Sequence, residues 1–363
     1  PIGADNALMA REIRKIASQE MGIQLRELHE DGSILQQTVG SSTGMNAEVV
    51  KDNCDFIEED TCDKTGLPEE MCKIHWDKEG ADILLLHNAG EIMAWPDNVG
   101  AFAVLFNMAG LNWTMSSESA AYDSINYGVF YDDVQFARTA LIHAQAAQKL
   151  GVKKIVLGEC GHAHKALTII ADRVLTGDLN IPRESCMPTL LEIAKKLNAE
   201  GKFDPMRNDF PVTLHDPCNY VRLMGIVQPQ REILKMIVPP EQFREMTPHG
   251  VDNFCCGGGS GFAICGGHNF PDWRHHVSGR RKFRQVLDAF HDEIKADEGK
   301  EFEENPPIKY ICAPCSNCKG QLRDIIDYYD GFDKYGLYYD GLVELMVNAI
   351  EDVQEGYLEL EWH

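Results

Sequence analysis

Positive charge is scarce in this sequence of 363 residues. Lys and Arg number 34 against 57 Asp and Glu, a formal charge of −23 at pH 7. A nucleic-acid binder neutralises phosphates with a basic footprint, so the balance argues against that class. Attraction to an anionic membrane surface by charge alone is disfavoured for the same reason. Long apolar runs are also missing. A membrane span needs about 18 such residues in succession, whereas the longest stretches, Ile83–Leu86 and Ala101–Phe106, are short core segments. No basic segment followed by an apolar one opens the chain, so no secretion signal is expected. Pro1 is compatible with loss of an initiator Met and equally with a fragment whose upstream part is missing. What remains is ordinary for a folded protein: 44% hydrophobic and 25% charged residues. The length favours two domains or a duplicated one.

Cysteine is abundant. Twelve occur in a chain without a secretion signal, where thiols stay reduced, so metal or redox chemistry is the better reading than disulfides. Residues 1–80 read as a polar, irregular arm, with a helix at Ala7–Gln19 and a loop at Gly40–Asn53. Cys54, Cys62 and Cys72 in this arm have wide spacings that match no tight metal motif.

After residue 80 the pattern becomes α/β. Apolar strands, Ile83–Leu86 and Lys153–Leu157, alternate with helices at Gly100–Ala109, Asp132–Leu150 and Met187–Leu197, and Asn112–Met115 adds a further strand. Such alternation implies a mostly parallel sheet. The pattern then repeats. Pro211–His215 corresponds to Ile83–His87, Arg280–Ile294 to Asp132–Leu150, and Lys309–Cys312 to Lys154–Leu157; Asp340–Val353 closes the second half. Cys315 stands 155 residues after Cys160, the same offset as Lys309 from Lys154. The expected architecture is therefore two pseudo-symmetric, Rossmann-like halves. They run over 81–205 and 206–363, behind an arm at 1–80. Asp297–Pro307 reads as an acidic exposed loop.

The second half holds the informative chemistry. His215-Asp-Pro-Cys218 ends one strand, Phe254-Cys-Cys-Gly-Gly-Gly259 forms a loop, and Ile311-Cys-Ala-Pro-Cys-Ser-Asn-Cys318 ends another strand and opens a helix. Thirty-six residues separate Cys218 from Cys255, and fifty-five separate Cys256 from Cys312. Loops at the carboxyl ends of parallel strands converge on one crevice, so these cysteines can meet. Adjacent cysteines suit a cluster of several irons better than one tetrahedral ion. Gly257 and Gly258 let amide N–H groups approach cluster sulfur. A zinc site built on Cys312, Cys315 and Cys318, or a redox dithiol at Cys312-Ala-Pro-Cys315, remain alternatives. Haem attachment is excluded because Ser316, not His, follows Cys315. Cys318 reads as a free thiol, Cys265 as structural, and Cys186 fits no ligand position. His162 and His215 sit at corresponding strand ends, where either could supply a proton. Residues Arg274 to Arg284 form the sole basic concentration, a solvated helix face or a docking patch.

The order Cys, Cys-Cys-Gly, Cys-x-x-Cys resembles the CCG cysteine-rich domain of heterodisulfide reductase B and D subunits, over about residues 81–355. Within that family, His87-Asn-Ala-Gly-Glu-Ile-Met-Ala-Trp95 and Glu159-Cys-Gly-His-Ala163 resemble the DsrK-type catalytic subunits of the membrane complex of dissimilatory sulfur metabolism. The resemblance implies a noncubane [4Fe-4S] cluster held by Cys218, Cys255, Cys256, Cys312 and Cys315. The first half keeps Cys160 alone at a matching position, and Gly90 stands where Cys218 has its counterpart, so one such cluster is expected. The family's ferredoxin-like cysteine segments do not occur in this sequence.

The implied function is an iron–sulfur oxidoreductase that passes electrons to or from a protein-bound disulfide, trisulfide or persulfide. The family implies a small sulfur carrier of the DsrC type as substrate. It also implies iron–sulfur and quinone-linked membrane subunits as partners, and attachment through them to the cytoplasmic face of the membrane. A non-catalytic electron-transfer subunit and a zinc-stabilised binding protein are the competing readings.

Overall fold

The computed structural model describes residues 6–171, 174–259, 271–302, 305–358 and 360. Two four-stranded sheets organise it. The first runs β2-β1-β3-β4, with β1 at Ile83–Leu86, β2 at Trp113–Thr114, β3 at Lys154–Leu157 and β4 at Arg183–Ser185. The second runs β6-β5-β7-β8, with β5 at Val212–Leu214, β6 at Phe243–Arg244, β7 at Lys309–Cys312 and β8 at Leu337–Asp340. The strands pair in parallel throughout. The two sheets share one strand order, so the repeat seen in the sequence is a repeat of topology.

Parallel strands are covered by helices on both faces, which is why β1 reads Ile-Leu-Leu-Leu with all four residues buried. The halves pack through equivalent helices: Pro96–Met108 after β1 meets Leu342–Asn348 after β8, and Cys186–Ala199 after β4 meets Gln228–Ile237 after β5. One apolar core runs through this contact, and two further cores back the first and second sheets.

Several local expectations change. The arm is more helical than its polar composition suggested. Ala47–Thr65 is a helix that begins inside the expected loop, because Asn46 accepts the Val49 N–H and caps it. Its buried face contributes Cys54 and Ile57 to the shared core, where Cys72 joins them. The arm thus packs on the Pro96–Met108 helix. The expected Arg280–Ile294 helix divides at Phe290 into Arg280–Ala289 and His291–Asp297. Among the described residues no helix is long and apolar enough to cross a membrane.

Candidate metal centre

Three segments at the carboxyl edge of the second sheet meet. β5 delivers His215, Asp216 and Cys218, the 253–259 loop brings Cys255 and Cys256, and the turn after β7 places Cys315 as N-cap of the Ser316–Tyr328 helix. The thiols of Cys218, Cys255, Cys256, Cys318 and Cys315 form one unbroken chain of side-chain contacts in that order. Cys256 Sγ lies 3.4 Å from Cys318 Sγ, and His215 Nε2 lies 3.2 Å from the same sulfur. Cys256, Cys315 and Cys318 are buried, Cys218 is half-buried and Cys255 is exposed. The group is closed behind and open at Cys255.

Backbone amides aim at the sulfurs. Gly257 N–H donates to Cys255 Sγ at 3.3 Å and Gly258 N–H to Cys256 Sγ at 3.4 Å. Gly257 has φ +87°, and a Cβ there would sit 2.4 Å from the Ser278 carbonyl; at Gly258 it would sit 2.4 Å from Gln321 Cβ. Only glycine fits either position. Cys315 receives the N–H groups of Cys318, Gly161 and Asn317. Gly161 belongs to the first half, so that half closes the group from the other side.

These donors set the charge. Hydrogen bonds from the Cys218 and Cys256 thiols, with the Gly257 amide, hold Cys255 down at about 2. The Cys318 thiol and the helix-start amides hold Cys315 below its ordinary value. The donating thiols of Cys218, Cys256 and Cys318 are pushed up. Negative charge at the site is thus favoured on Cys255 and Cys315, with the other three thiols as donors.

His215 is locked by its surroundings. Lys282 Nζ lies 2.9 Å from Asn253 Oδ1, which orients the amide so that Nδ2 points at His215 Nδ1, 3.5 Å away. That assignment leaves Nε2–H to donate to Cys318 Sγ. Burial pushes His215 well below its usual value, so the ring is neutral. Burial also lowers Lys282 to about 8. The loop beneath is anchored by a bidentate pair: Arg231 donates to Asp216 at 2.8 and 2.7 Å, and Gly250 N–H donates to the same carboxylate at 2.6 Å.

The structure brings Cys218, Cys255, Cys256 and Cys315 together as expected, but it does not bring Cys312. That residue ends β7, in register with Leu214 and Asp340, and its thiol lies in the shared core facing Glu159, Glu344 and Asp340. Cys318 takes its place, because a residue three after the helix N-cap returns to the same face. The 155-residue offset carried this signal: it sets Cys315 against Cys160 but Cys312 against Leu157, a buried strand residue. His162 does not face the thiols either. Its Nε2 accepts the Asn126 N–H at 3.1 Å, its ring packs on Tyr127 and Phe130, and burial lowers it to about 3. Cys265 lies outside the described residues. In the basic concentration, Lys282 is buried, whereas Arg280, Arg281 and Arg284 are exposed, with Arg281 stacked 3.7 Å above the Phe254 ring.

Five thiols and a histidine exceed what one tetrahedral ion accepts, and amide N–H groups directed at sulfur suit an iron–sulfur cluster. The residues present fit such a group. The comparisons agree. Residues 212–268 match the CCG family, the cysteine-rich domain. The chain is 26% identical over 227 residues to the Hdr-like menaquinol oxidoreductase iron-sulfur subunit of Archaeoglobus profundus. Over 222 residues it is 27% identical to the Hdr-like menaquinol oxidoreductase iron-sulfur subunit 2 of Archaeoglobus fulgidus. Each match covers 51% of this chain and 39% of the relative, so the chain accounts for less than half of either.

Proposed function

We propose that the CCG domain holds a noncubane [4Fe-4S] cluster on Cys218, Cys255, Cys256, Cys315 and Cys318, and that the chain is the iron–sulfur subunit of an oxidoreductase acting on sulfur. The convergence of these five thiols carries the reading. Bound there, the cluster supplies one-electron transfer and an iron that accepts a sulfur ligand. The protein's own groups do the rest. Burial of Cys256, Cys315 and Cys318 excludes water from one side, and the opening at Cys255 admits a partner's sulfur. His215 Nε2–H donates to the Cys318 sulfur and stabilises negative charge there. The substrate is a protein-bound disulfide, trisulfide or persulfide on a carrier of the DsrC type. Arg222 and Arg281, both exposed and anchored on the 251–254 segment, flank that opening in an otherwise acidic chain. The relatives' names support partner subunits linked to menaquinol, through which the chain attaches to the cytoplasmic face of the membrane.

One observation favours a second reading. The donor atoms of His215, Cys256 and Cys318 lie within 4.8 Å of one another, close enough for a single zinc ion. Metal analysis and EPR spectroscopy on anaerobically purified protein decide between them. Iron and acid-labile sulfide, about four of each per chain, support the cluster; stoichiometric zinc without sulfide overturns it. Single-turnover reduction of a protein-bound disulfide then separates sulfur catalysis from electron transfer alone.

A further inference from the structure

The contact between the halves buries more carboxyl groups than it can hold ionised. Glu159, just past β3, and Glu344, in the Leu342–Asn348 helix, are 0% and 1% exposed. Asn98 Nδ2 donates to both, at 3.0 Å to Glu159 Oε2 and 2.8 Å to Glu344 Oε1. Glu159 Oε1 also accepts the Leu342 N–H at 3.1 Å, so the one carboxyl oxygen of the pair without a donor is the buried Glu344 Oε2. Glu159 Oε2 and Glu344 Oε2 lie 2.2 and 2.4 Å from the one point where a Cβ on Gly341 would stand.

We propose that Glu159 and Glu344 form a buried proton-binding site in which one proton is shared by the pair at neutral pH, and that this proton is exchanged as charge changes at the neighbouring thiol group. The second clause rests on the cluster reading; the first does not.

Charge counting supports the shared proton. The groups facing the pair are Asp340 at the end of β8, Lys319 in the Ser316–Tyr328 helix, and Glu91 with its partner His87 after β1. The uncharged Cys312, Tyr310, Cys186 and Tyr357 also face it. Four carboxyls thus surround Lys319, which already lies 3.2 Å from Asp340 and 3.4 Å from Glu344. Two fully buried carboxylates that share one amide donor, with Lys319 as the cation between four carboxyls, do not both ionise; one keeps its proton. Glu344, whose Oε2 has no donor, is the member that gains most by keeping its proton, because protonation removes the charge from a buried orphan acceptor. Burial raises Glu159 to about 7 and Glu344 well above the carboxyl range, against the opposing effect of Lys319.

The pair is wired to the thiol group by one helix. Ser316 N–H donates to the Glu159 carbonyl at 2.7 Å, and Lys319 follows Cys318 and donates its N–H to the Cys315 carbonyl. Negative charge arriving at the sulfurs raises the proton affinity of the pair. Asp340, with its side chain 29% exposed and linked through Lys319, is the solvent-side member for exchange.

Two measurements test this. Infrared spectroscopy of the metal-free protein at pH 7 reads the protonated-carboxyl C=O band directly, whatever the site binds. The band is expected in wild type, and in both Glu159→Gln and Glu344→Gln it should be lost or titrate at least one pH unit lower. Its lack in wild type, or its persistence unchanged in both variants, overturns the shared proton. The two variants act from opposite halves, so failure of one to fold leaves the other. In protein purified with its metal, the midpoint potential is then followed against pH. A pH dependence in wild type that flattens in the glutamine variants, at equal iron content, is expected. Equal slopes in all three overturn the coupling. Wild type without iron would instead defeat the cluster reading and leave the infrared result standing.

Discussion

The structure separates two cysteines that the motif alone confuses. Cys318 contacts both Cys256 and Cys315, so Cys318→Ala removes the sulfur that joins Cys315 to the rest of the thiol chain. Cys312 is 0% exposed in the shared core, on the side of Glu159 and Glu344 and apart from the other thiols. Cys312→Ala therefore leaves a cavity of one buried atom, costing about 1–2 kcal/mol, or a few degrees of thermal midpoint for a chain of this size. Cys312→Ala should keep full iron and sulfide content with that modest loss of stability. Cys318→Ala should lose most of the iron, with a comparable cost of about 1–2 kcal/mol to the metal-free fold, since Cys318 is buried as well. The assay is iron and sulfide per chain, with EPR spectroscopy, beside thermal denaturation of each variant. Loss of the cluster from Cys312→Ala with retention in Cys318→Ala would refute the assignment, since side chains facing opposite ways from one turn cannot exchange roles without rebuilding β7.

Other expectations follow from single contacts. A Cβ at Gly161 would stand 2.9 Å from Cys315 Sγ; Gly161→Ala should keep the fold but lower iron occupancy and alter the EPR line shape, and an unchanged spectrum would dismiss the first half's amide from the site. Arg231→Met strands the buried Asp216 carboxylate, which should cost about 3–5 kcal/mol; a denaturation loss under 1 kcal/mol would show that Glu245 and Asp216 do not depend on it. In the metal-free protein, Cys255 is a thiolate far below neutrality, whereas burial pushes Cys54 and Cys72 up to about 12. Iodoacetamide should thus label Cys255 at a nearly constant rate from pH 8 to pH 5, where an ordinary thiol slows about tenfold per unit, and a tenfold fall per unit at Cys255 would remove the thiolate. Glu159, raised to about 7, stabilises the fold below its unfolded value and ceases to as pH rises through 7; wild type should lose up to ~1.4 kcal/mol per pH unit between pH 5 and 7 that Glu159→Gln does not lose.

Periodicity and turn chemistry made the α/β halves and their strands legible, because short apolar runs and capped amphipathic helices are local signals. That the Cys218, Cys255-Cys256 and Cys315 segments meet was legible from their places at strand ends, and the individual thiols followed from the family resemblance. Cys318 was not legible, since Cys312-Ala-Pro-Cys315 and Cys315-Ser-Asn-Cys318 offer the same spacing, and strand position decides between them. The helical arm was hidden because its buried face is lined by scattered Val50, Cys54, Ile57 and Thr61, not by a strong apolar stripe. His162 was misplaced for a different reason. Adjacency to Gly161 put it near the thiols, but its ring turns into the core that backs the first sheet, among Asn126, Tyr127 and Phe130. The carboxyl pair left no sequence signal: Glu159 and Glu344 belong to different halves and meet only when the helices after β1 and β8 pack.

The equivalent loops show how one topology came to hold two chemistries. After β5, His215 is followed by the loop to Cys218, and the imidazole donates to a sulfur. After β1, His87 occupies the matching place, but Gly90 replaces the cysteine and donates to Asn88 Oδ1 at 2.6 Å, so the segment closes as a capped helix. Its imidazole faces the Glu91 carboxylate at 3.4 Å instead of a thiol. After β3, Cys160 keeps its position, yet Asn88 holds it at 3.6 Å and burial pushes its thiol up, so it stays protonated. The next residue, Gly161, reaches across to Cys315, and the preceding one, Glu159, meets Glu344. Where the second half gathers sulfur, the first presents carboxyls and a single amide to the same crevice. Restoring thiols there one at a time would not rebuild a second site, because each new thiolate would stand beside the buried Glu91 carboxylate, and like charges in an apolar site disfavour one another.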